Sequence, residues 1–244
     1  MGGAAEVAWV YRGVPANEDG VASDRVPGGD GTSGGVSDRL RPAVTGLLLA
    51  AGAGRRMGSP KALLRDPDGT AWVARVAQLL LEGGCAGVVV VVGAAADAVI
   101  PLVPASAQVV VATTWAEGMG ASLRAGLAAV PTTSDAVVVS LVDTPGVTAQ
   151  VVARLVALAG PAVLARAGYG GRPGHPVLIG RAHWPGVAAH SLGDAGARGY
   201  LAACDVRLVE CGDLGHGEDV DAPAAGPPPV HPLAGPRCPP APPD

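Results

Sequence analysis

Five short runs of consecutive apolar residues punctuate the chain, at 45–51, 87–93, 108–112, 136–142 and 162–165. They are continuous rather than alternating, as in Gly87-Val-Val-Val-Val-Val-Gly93, which is the pattern of strands buried on both faces. Between them the apolar positions change to a helical period. Val73, Val76, Ala77, Leu80 and Leu81 line one face of a helix that Thr70 is placed to N-cap and Gly83-Gly84 to end. Further helices are predicted over about 119–130 and 147–159, and a shorter one over 195–203 with Asp194 at its N-cap. Strand–helix–strand alternation of this kind predicts an α/β fold, a three-layer α/β/α sandwich around a Rossmann-like, mostly parallel sheet. Ligands of such sheets bind beyond the carboxyl ends of the strands. The segments following residues 51 and 142 are therefore the places to look for chemistry.

Composition bounds this picture at both ends of the 244-residue chain. Residues 1–43 are rich in Gly, Ser, Asp and Pro and are expected to be a disordered extension; Val7 to Tyr11 is their one apolar island, too short to build on. Residues 223–244 are dominated by Pro and Ala and read as an extended, disordered tail. That leaves 44–222 as one domain. Its core has to be made of Ala, Val and Leu, since the chain contains no Phe. A net charge of −4 with no basic run argues against a nucleic-acid partner. No apolar stretch approaches the roughly 20 residues that span a bilayer, and no basic leader with an apolar core precedes the domain, so we expect a cytoplasmic protein without a membrane partner. Cys85, Cys204, Cys211 and Cys238 form no Cys-x-x-Cys pair and are expected to be reduced thiols.

The first predicted strand runs into Ala50-Ala51-Gly52-Ala53-Gly54-Arg55-Arg56-Met57-Gly58-Ser59-Pro60-Lys61. Small residues let backbone N–H groups approach an anion, and three cations stand beside them, which is what a polyphosphate needs. The spacing is not that of a Walker loop, and Met57 stands where a Gly-x-Gly-x-x-Gly turn requires its third glycine. A carboxylate, Asp143, follows the run at 136–142. It can coordinate a hard divalent cation, or it can cap the turn that Pro145 begins. Trp115-Ala-Glu-Gly118-Met-Gly-Ala-Ser122-Leu-Arg is a Gly-rich turn entering a helix; its free N–H groups and Ser122 can contact a ligand, or simply cap the helix. His175, in Gly174-His-Pro176, reads by itself as a turn residue. Asp219 and Asp221 are two carboxylates spaced by one residue near the end of the domain, candidates to reach a metal.

The loop at 47–61 resembles the signature Leu-Ala-Ala-Gly-x-Ser/Gly-x-Arg-Met-Gly-x-Pro-Lys of the MobA-like nucleotidyltransferases, and within them the molybdenum cofactor cytidylyltransferases. The resemblance extends over about 45–223 and implies a fold of the nucleotide-diphospho-sugar transferase type. It implies that Ala50, Ala51, Gly52, Ala53 and Gly54 cradle a nucleoside triphosphate held by Arg55 and Lys61, with Gly118 and Ser122 on the base side. It makes Asp143, in Asp-Thr-Pro, an Mg²⁺ ligand, and Asp221 the second. His175 and the segment Gly193-Asp194-Ala-Gly-Ala-Arg198 would then face the acceptor, with the Arg198 guanidinium suited to a phosphate. The chain departs from the family at Thr113-Thr114, where an Asn-containing pair is usual, and after Asp221, where Ala222 replaces Thr and Ala224-Ala225 replace Glu-Asp.

The implied reaction is transfer of a nucleotidyl group to a phosphate acceptor with release of pyrophosphate. Ala50-Ala51-Gly52, Gly-His-Pro and Gly-Asp-x-Gly-Ala-Arg resemble the branch that uses CTP and a molybdopterin-type cofactor, whose product passes to a client molybdoenzyme. Catalysis would rest on Arg55, Lys61 and Asp143. Two other readings stand beside it. One is an NAD(P)H-dependent oxidoreductase of the nicotine-blue-oxidoreductase type, against which stands the missing dinucleotide fingerprint. The other is a non-catalytic molybdenum cofactor chaperone, in which Lys61 and Asp143 would have no chemical task.

Overall fold

Every residue of β2 (Val44–Ala50) is buried, as is every residue of β5 (Ala136–Leu141), and the two pair in parallel at the centre of the sheet. This computed structural model of the protein describes residues 8–10 and 42–220. On the other side of β2 lies β3 (Gly87–Val92), then β4 (Ala107–Val111), both parallel to it. The edge beyond β4 is β1 (Ala8–Val10), antiparallel, formed by the apolar island expected to be too short to build on.

On the far side of β5 the sheet reverses. β7 (Arg172–Gly180) runs antiparallel to both β5 and β6 (Leu164–Tyr169), and β8 (Arg207–Glu210) pairs in parallel with β6. The order is β1-β4-β3-β2-β5-β7-β6-β8. β7 escaped the sequence reading because Pro173 and Pro176 make its first half look like loop, and β8 because it is short and largely exposed. The register sets Leu49 opposite Leu141, so β2 and β5 end side by side and their following loops share one edge.

Helices cover both faces. α1 (Trp72–Glu82) and α4 (Ala149–Val156) pack on one, burying Leu80 and Leu155 completely against Val88, Val90 and Val138. A short α2 (Ala96–Val99) follows β3 on that face. α3 (Met119–Ala129), α5 (Trp184–His190) and α6 (Arg198–Ala202) cover the other face, over Leu47, Val91 and Val177. Each fully buried leucine stabilises the fold by about 2–3 kcal/mol relative to leaving it in water. With no Phe available, depth comes from close approach. Gly126 of α3 lies so near the sheet that a Cβ there would be 2.6 Å from Leu47 Cδ1.

Three helix starts differ from the expected ones. Thr70 does not cap α1; its N–H donates to Asp68 Oδ1 at 2.8 Å, and Ala71 holds the N-cap position without a side-chain bond. α4 begins later than 147, because the Thr148 hydroxyl accepts the Val151 N–H at 3.3 Å and so defines the cap. Asp194 is not the cap of α6 either. It lies in a separate 3₁₀ turn, Gly193–Ala195, and α6 starts after Ala197. No helix among the described residues is long and apolar enough to cross a membrane.

Candidate active site

Beyond Ala50 the chain leaves β2, and the Ala51 carbonyl accepts the Ala94 N–H at 3.0 Å, tying the loop to the end of β3. Gly54 then turns at φ +60°, where its carbonyl accepts the Met57 N–H at 2.9 Å. A Cβ on Gly54 would fall 1.8 Å from the Ser59 carbonyl oxygen, so only glycine lets this loop fold back on itself. Gly52 is the opposite case. Nothing lies within 4 Å of where its Cβ would be, and it lines a cavity of about 400 Å³. That empty position is a cradle in which a ligand meets bare backbone.

The loop closes at a single 3₁₀ turn, Lys61–Leu63, which aims Lys61 across the cavity. Its ammonium donates to Asp143 Oδ2 at 2.7 Å, and both side chains are largely buried, at 15% and 20% exposure. Asp143 follows β5, and its segment is braced from two sides. The buried Thr144 hydroxyl donates to the Leu141 carbonyl at 3.1 Å, and the Val220 N–H donates to the Asp143 carbonyl at 3.0 Å.

The second carboxylate oxygen, Asp143 Oδ1, is buried and has no hydrogen-bond partner among the described residues. A buried anionic oxygen without a donor is costly. It is also a hard oxygen donor on a residue that lines the cavity, which fits a hard divalent cation such as Mg²⁺. No group of three or more His, Cys, Asp or Glu side chains gathers among the described residues. Phosphate and water commonly complete the coordination of Mg²⁺ beside one or two carboxylates. Asp221 lies outside the described residues.

The remaining walls come from α3 and the 190s. Ser122 is buried in the first turn of α3, and Trp115 stands beside the cavity because Gly93 leaves room for its ring. Gly118, at φ +113°, touches the Gly193-Asp194 backbone: a Cβ on it would be 2.4 Å from the Gly193 carbonyl carbon. Arg124 of α3 donates to the Ser191 carbonyl, fixing the same loop from its other end. The cavity thus brings together Ala51, Gly52, Ala53, Gly54, Arg55 and Lys61 with Gly118, Ser122, Asp143 and Asp194. Arg55 and Asp194 reach it from exposed positions. Ala50 turns the other way, into the core beneath α1.

His175 and Arg198 stand apart from that cavity on the antiparallel side of the sheet. Burial pushes the His175 pKa down to about 4; Arg166 and Arg198 push in the same direction, and Asp143 opposes them. His175 is therefore within electrostatic reach of Arg166, Arg198 and Asp143. Arg166 is the functional candidate that sequence reasoning missed, because one arginine inside a short strand carries no spacing signal. The hairpin behind His175 is held firmly: the Tyr169 hydroxyl donates to the His175 carbonyl at 2.8 Å. The Glu210 carboxylate accepts the N–H groups of Gly170 and Gly171 at 2.9 and 3.0 Å.

Residues 46–209 match the family model of the MobA-like NTP transferase domain. The chain is 42% identical over 197 residues to a protein named nicotine blue oxidoreductase from Paenarthrobacter nicotinovorans, an alignment covering 76% of this chain and 96% of that protein. Among solved structures it is similar to Rv0371c of Mycobacterium tuberculosis H37Rv, with 30% identity and a TM-score of 0.64 over 75% of this chain and 95% of that one. A second structure of Rv0371c, a complex with manganese, matches at 29% identity and a TM-score of 0.58, covering 69% of this chain and 88% of the other.

Proposed function

Because the chain belongs to the MobA-like NTP transferase family, we propose that it is a nucleotidyltransferase, moving CMP from CTP to the phosphate of a molybdopterin-type cofactor. The observation that carries this reading is the Lys61–Asp143 pair across the cavity from the bare backbone of Gly52, with Asp143 Oδ1 left without a donor. A cation, an anionic oxygen and a small-residue cradle around one space are the parts a triphosphate needs.

In this scheme an oxygen of the acceptor phosphate attacks the α-phosphorus of the nucleotide. A new P–O bond forms, the bond from the α-phosphorus to the bridging oxygen breaks, and its electron pair leaves with pyrophosphate. The attacking phosphate is already ionised near neutral pH, so no side chain has to remove a proton. What remains for the protein is positioning and neutralisation of charge. Lys61 and Arg55 hold the triphosphate against the N–H groups of Gly52 to Gly54, and Ser122 fixes the base side. Asp143, with Asp221 as the second ligand, would hold Mg²⁺, which when bound spreads the negative charge of the phosphates. The choice of CTP and of a molybdopterin-type acceptor rests on the sequence resemblance at Ala50-Ala51-Gly52, at His175 and at Asp194 to Arg198.

The test is pyrophosphate release with CTP, GTP, ATP and UTP in turn, with Mg²⁺ and molybdopterin-type cofactor, and with Lys61→Ala as control. Cofactor-dependent release with CTP alone, lost in the variant, is expected. Release with GTP and none with CTP would refute the donor assignment.

The 42% identity to a protein named nicotine blue oxidoreductase favours one second reading, reduction of a substrate by NAD(P)H. Against it, the strand after the Gly-rich loop ends in Val92-Gly93-Ala94, without the acidic residue that would hold a dinucleotide's ribose. NAD(P)H binding that needs no divalent cation and survives Lys61→Ala would favour this reading over the first.

A further inference from the structure

We propose that Arg166, together with Arg198, forms the anion-recognition element of the acceptor side, built for a phosphate monoester dianion; this rests on the nucleotidyltransferase reading and deepens it. The argument begins with where Arg166 stands. In β6, Ala165 and Ala167 pack into the core under α1 and α4, while Leu164 belongs to the core under α3, α5 and α6. Alternation along the strand puts Arg166 on the Leu164 face. Its cross-strand partner is Val177, part of that same core, and His175 follows two positions along β7 on the same face. A guanidinium therefore occupies a position its neighbours use for aliphatic packing.

Such a placement needs compensation, and the described residues do not supply it. Arg166 Nε is buried without a hydrogen-bond partner. The guanidinium has one long bond, Nη2 to the Gly174 carbonyl at 3.3 Å. No carboxylate among the described residues forms an ion pair with it. The charge within reach is of the same sign: burial lowers the Arg166 pKa, and Arg198 at the start of α6 lowers it further. Asp143, the carboxylate that acts on the neighbouring His175, is already bonded to Lys61. Arg166 and Arg198 thus both act on the half-buried His175 imidazole, and no carboxylate among the described residues is hydrogen-bonded to either guanidinium. A dianion bound between them would give Arg166 Nε an acceptor and turn like-charge repulsion into attraction.

The chemistry selects the ligand class. A guanidinium fork matches two oxygens of a phosphate, and two forks match a dianion better than a monoanionic diester or carboxylate. β6 runs parallel to β5, and the register through Val177 sets Arg166 level with Val139, on the strand that leads to Asp143. The anion site and the triphosphate site are neighbours, which in-line transfer between two phosphates requires.

The experiment is calorimetric titration of the full chain with two probes, phenyl phosphate for the acceptor side and inorganic tripolyphosphate for the nucleotide side. Arg166→Gln is expected to weaken phenyl phosphate binding by about tenfold or more and to leave tripolyphosphate within about twofold. Lys61→Ala is expected to do the reverse. Should Arg166→Gln fail to fold, Arg198→Ala, at an exposed position, is read instead, with a loss of about fivefold expected for phenyl phosphate alone. Phenyl phosphate binding unchanged in the folded Arg166→Gln protein, or in Arg198→Ala, overturns the proposal. If Lys61→Ala leaves tripolyphosphate binding intact while Arg166→Gln still abolishes monoester binding, the nucleotidyltransferase reading fails and the anion site stands.

Discussion

Lys61 Nζ lies 2.7 Å from Asp143 Oδ2 although 82 residues separate them in sequence, and this one bond joins the loops after β2 and β5. Lys61 pairs with one carboxylate oxygen, and in the proposed function the other is the one left for a cation. Asp143→Asn keeps the shape and removes the charge. It is expected to lower turnover by about 100-fold or more, as loss of a preorganised charge at a phosphoryl-type site does. Circular dichroism should be unchanged. Turnover within a few-fold of the parent would remove Asp143 from the chemistry.

The two glycines of the loop separate folding from binding. Gly54→Ala forces a Cβ against the Ser59 carbonyl at a positive φ, and is expected to cost roughly 1–3 kcal/mol, read as a lower urea midpoint. Gly52→Ala meets no protein atom within 4 Å, so its midpoint should not move. Its methyl group instead fills the cradle, and the KM for the nucleotide should rise about tenfold. Equal stability losses in both variants would mean that Gly52 is there for the fold.

His175 makes stability depend on pH. Its pKa falls from an ordinary 6.5 to about 4, first by burial and then through Arg166 and Arg198, with Asp143 opposing. An unfolded chain therefore takes up a proton that the folded one refuses. The contribution is fully present above about pH 6.5 and is lost as pH falls from there towards about 4. Partial exposure reduces the effect to roughly 1–2 kcal/mol. Comparing urea midpoints at pH 7 and pH 5 for the parent and His175→Asn checks this: the parent should lose more. Equal losses in the two proteins would show that His175 titrates normally in the fold.

The central sheet was legible because continuous apolar runs such as Leu47–Ala50 and Val88–Val92 have one stable home, between two helical layers. The cavity of the proposed nucleotide side was legible for a related reason. Gly52, Gly54, Lys61 and Asp143 sit at the ends of those strands, where spacing along the chain becomes position in space. The proposed acceptor side was not. β7 carries two prolines, and Arg166 becomes conspicuous only once Val177 is seen opposite it and Arg198 nearby. Its meaning is a long-range pairing, which local periodicity does not encode. The cap of α6 was misplaced for the opposite reason: Asp194 has good capping chemistry, but close contact with Gly118 holds it in its own turn.

Residues 211–220 return along the loop that carries Asp143, and an ion pair outside the site holds them there. Thr148 Oγ1 donates to the Leu214 carbonyl at 3.0 Å, the His216 N–H to the Gly146 carbonyl at 3.1 Å, and the Val220 N–H to Asp143 itself. Arg154 of α4 anchors the start of this strap through two bonds to Asp213, at 2.7 and 2.9 Å, and one to the Glu210 carbonyl at 2.8 Å. The Arg154 contact lowers the Asp213 pKa, so this support is present above the usual aspartate range and fades as pH falls through the depressed value. The pair is exposed, so its loss should act locally rather than on global stability. In Arg154→Ala, the amides of His216 and Val220 should exchange with deuterium about tenfold faster or more, while those of Leu47 to Leu49 keep their protection. High salt should move the parent part of the way to the same result. Unchanged exchange at Val220 would mean that the strap is held by its backbone bonds alone, and that Asp143 owes nothing to Arg154.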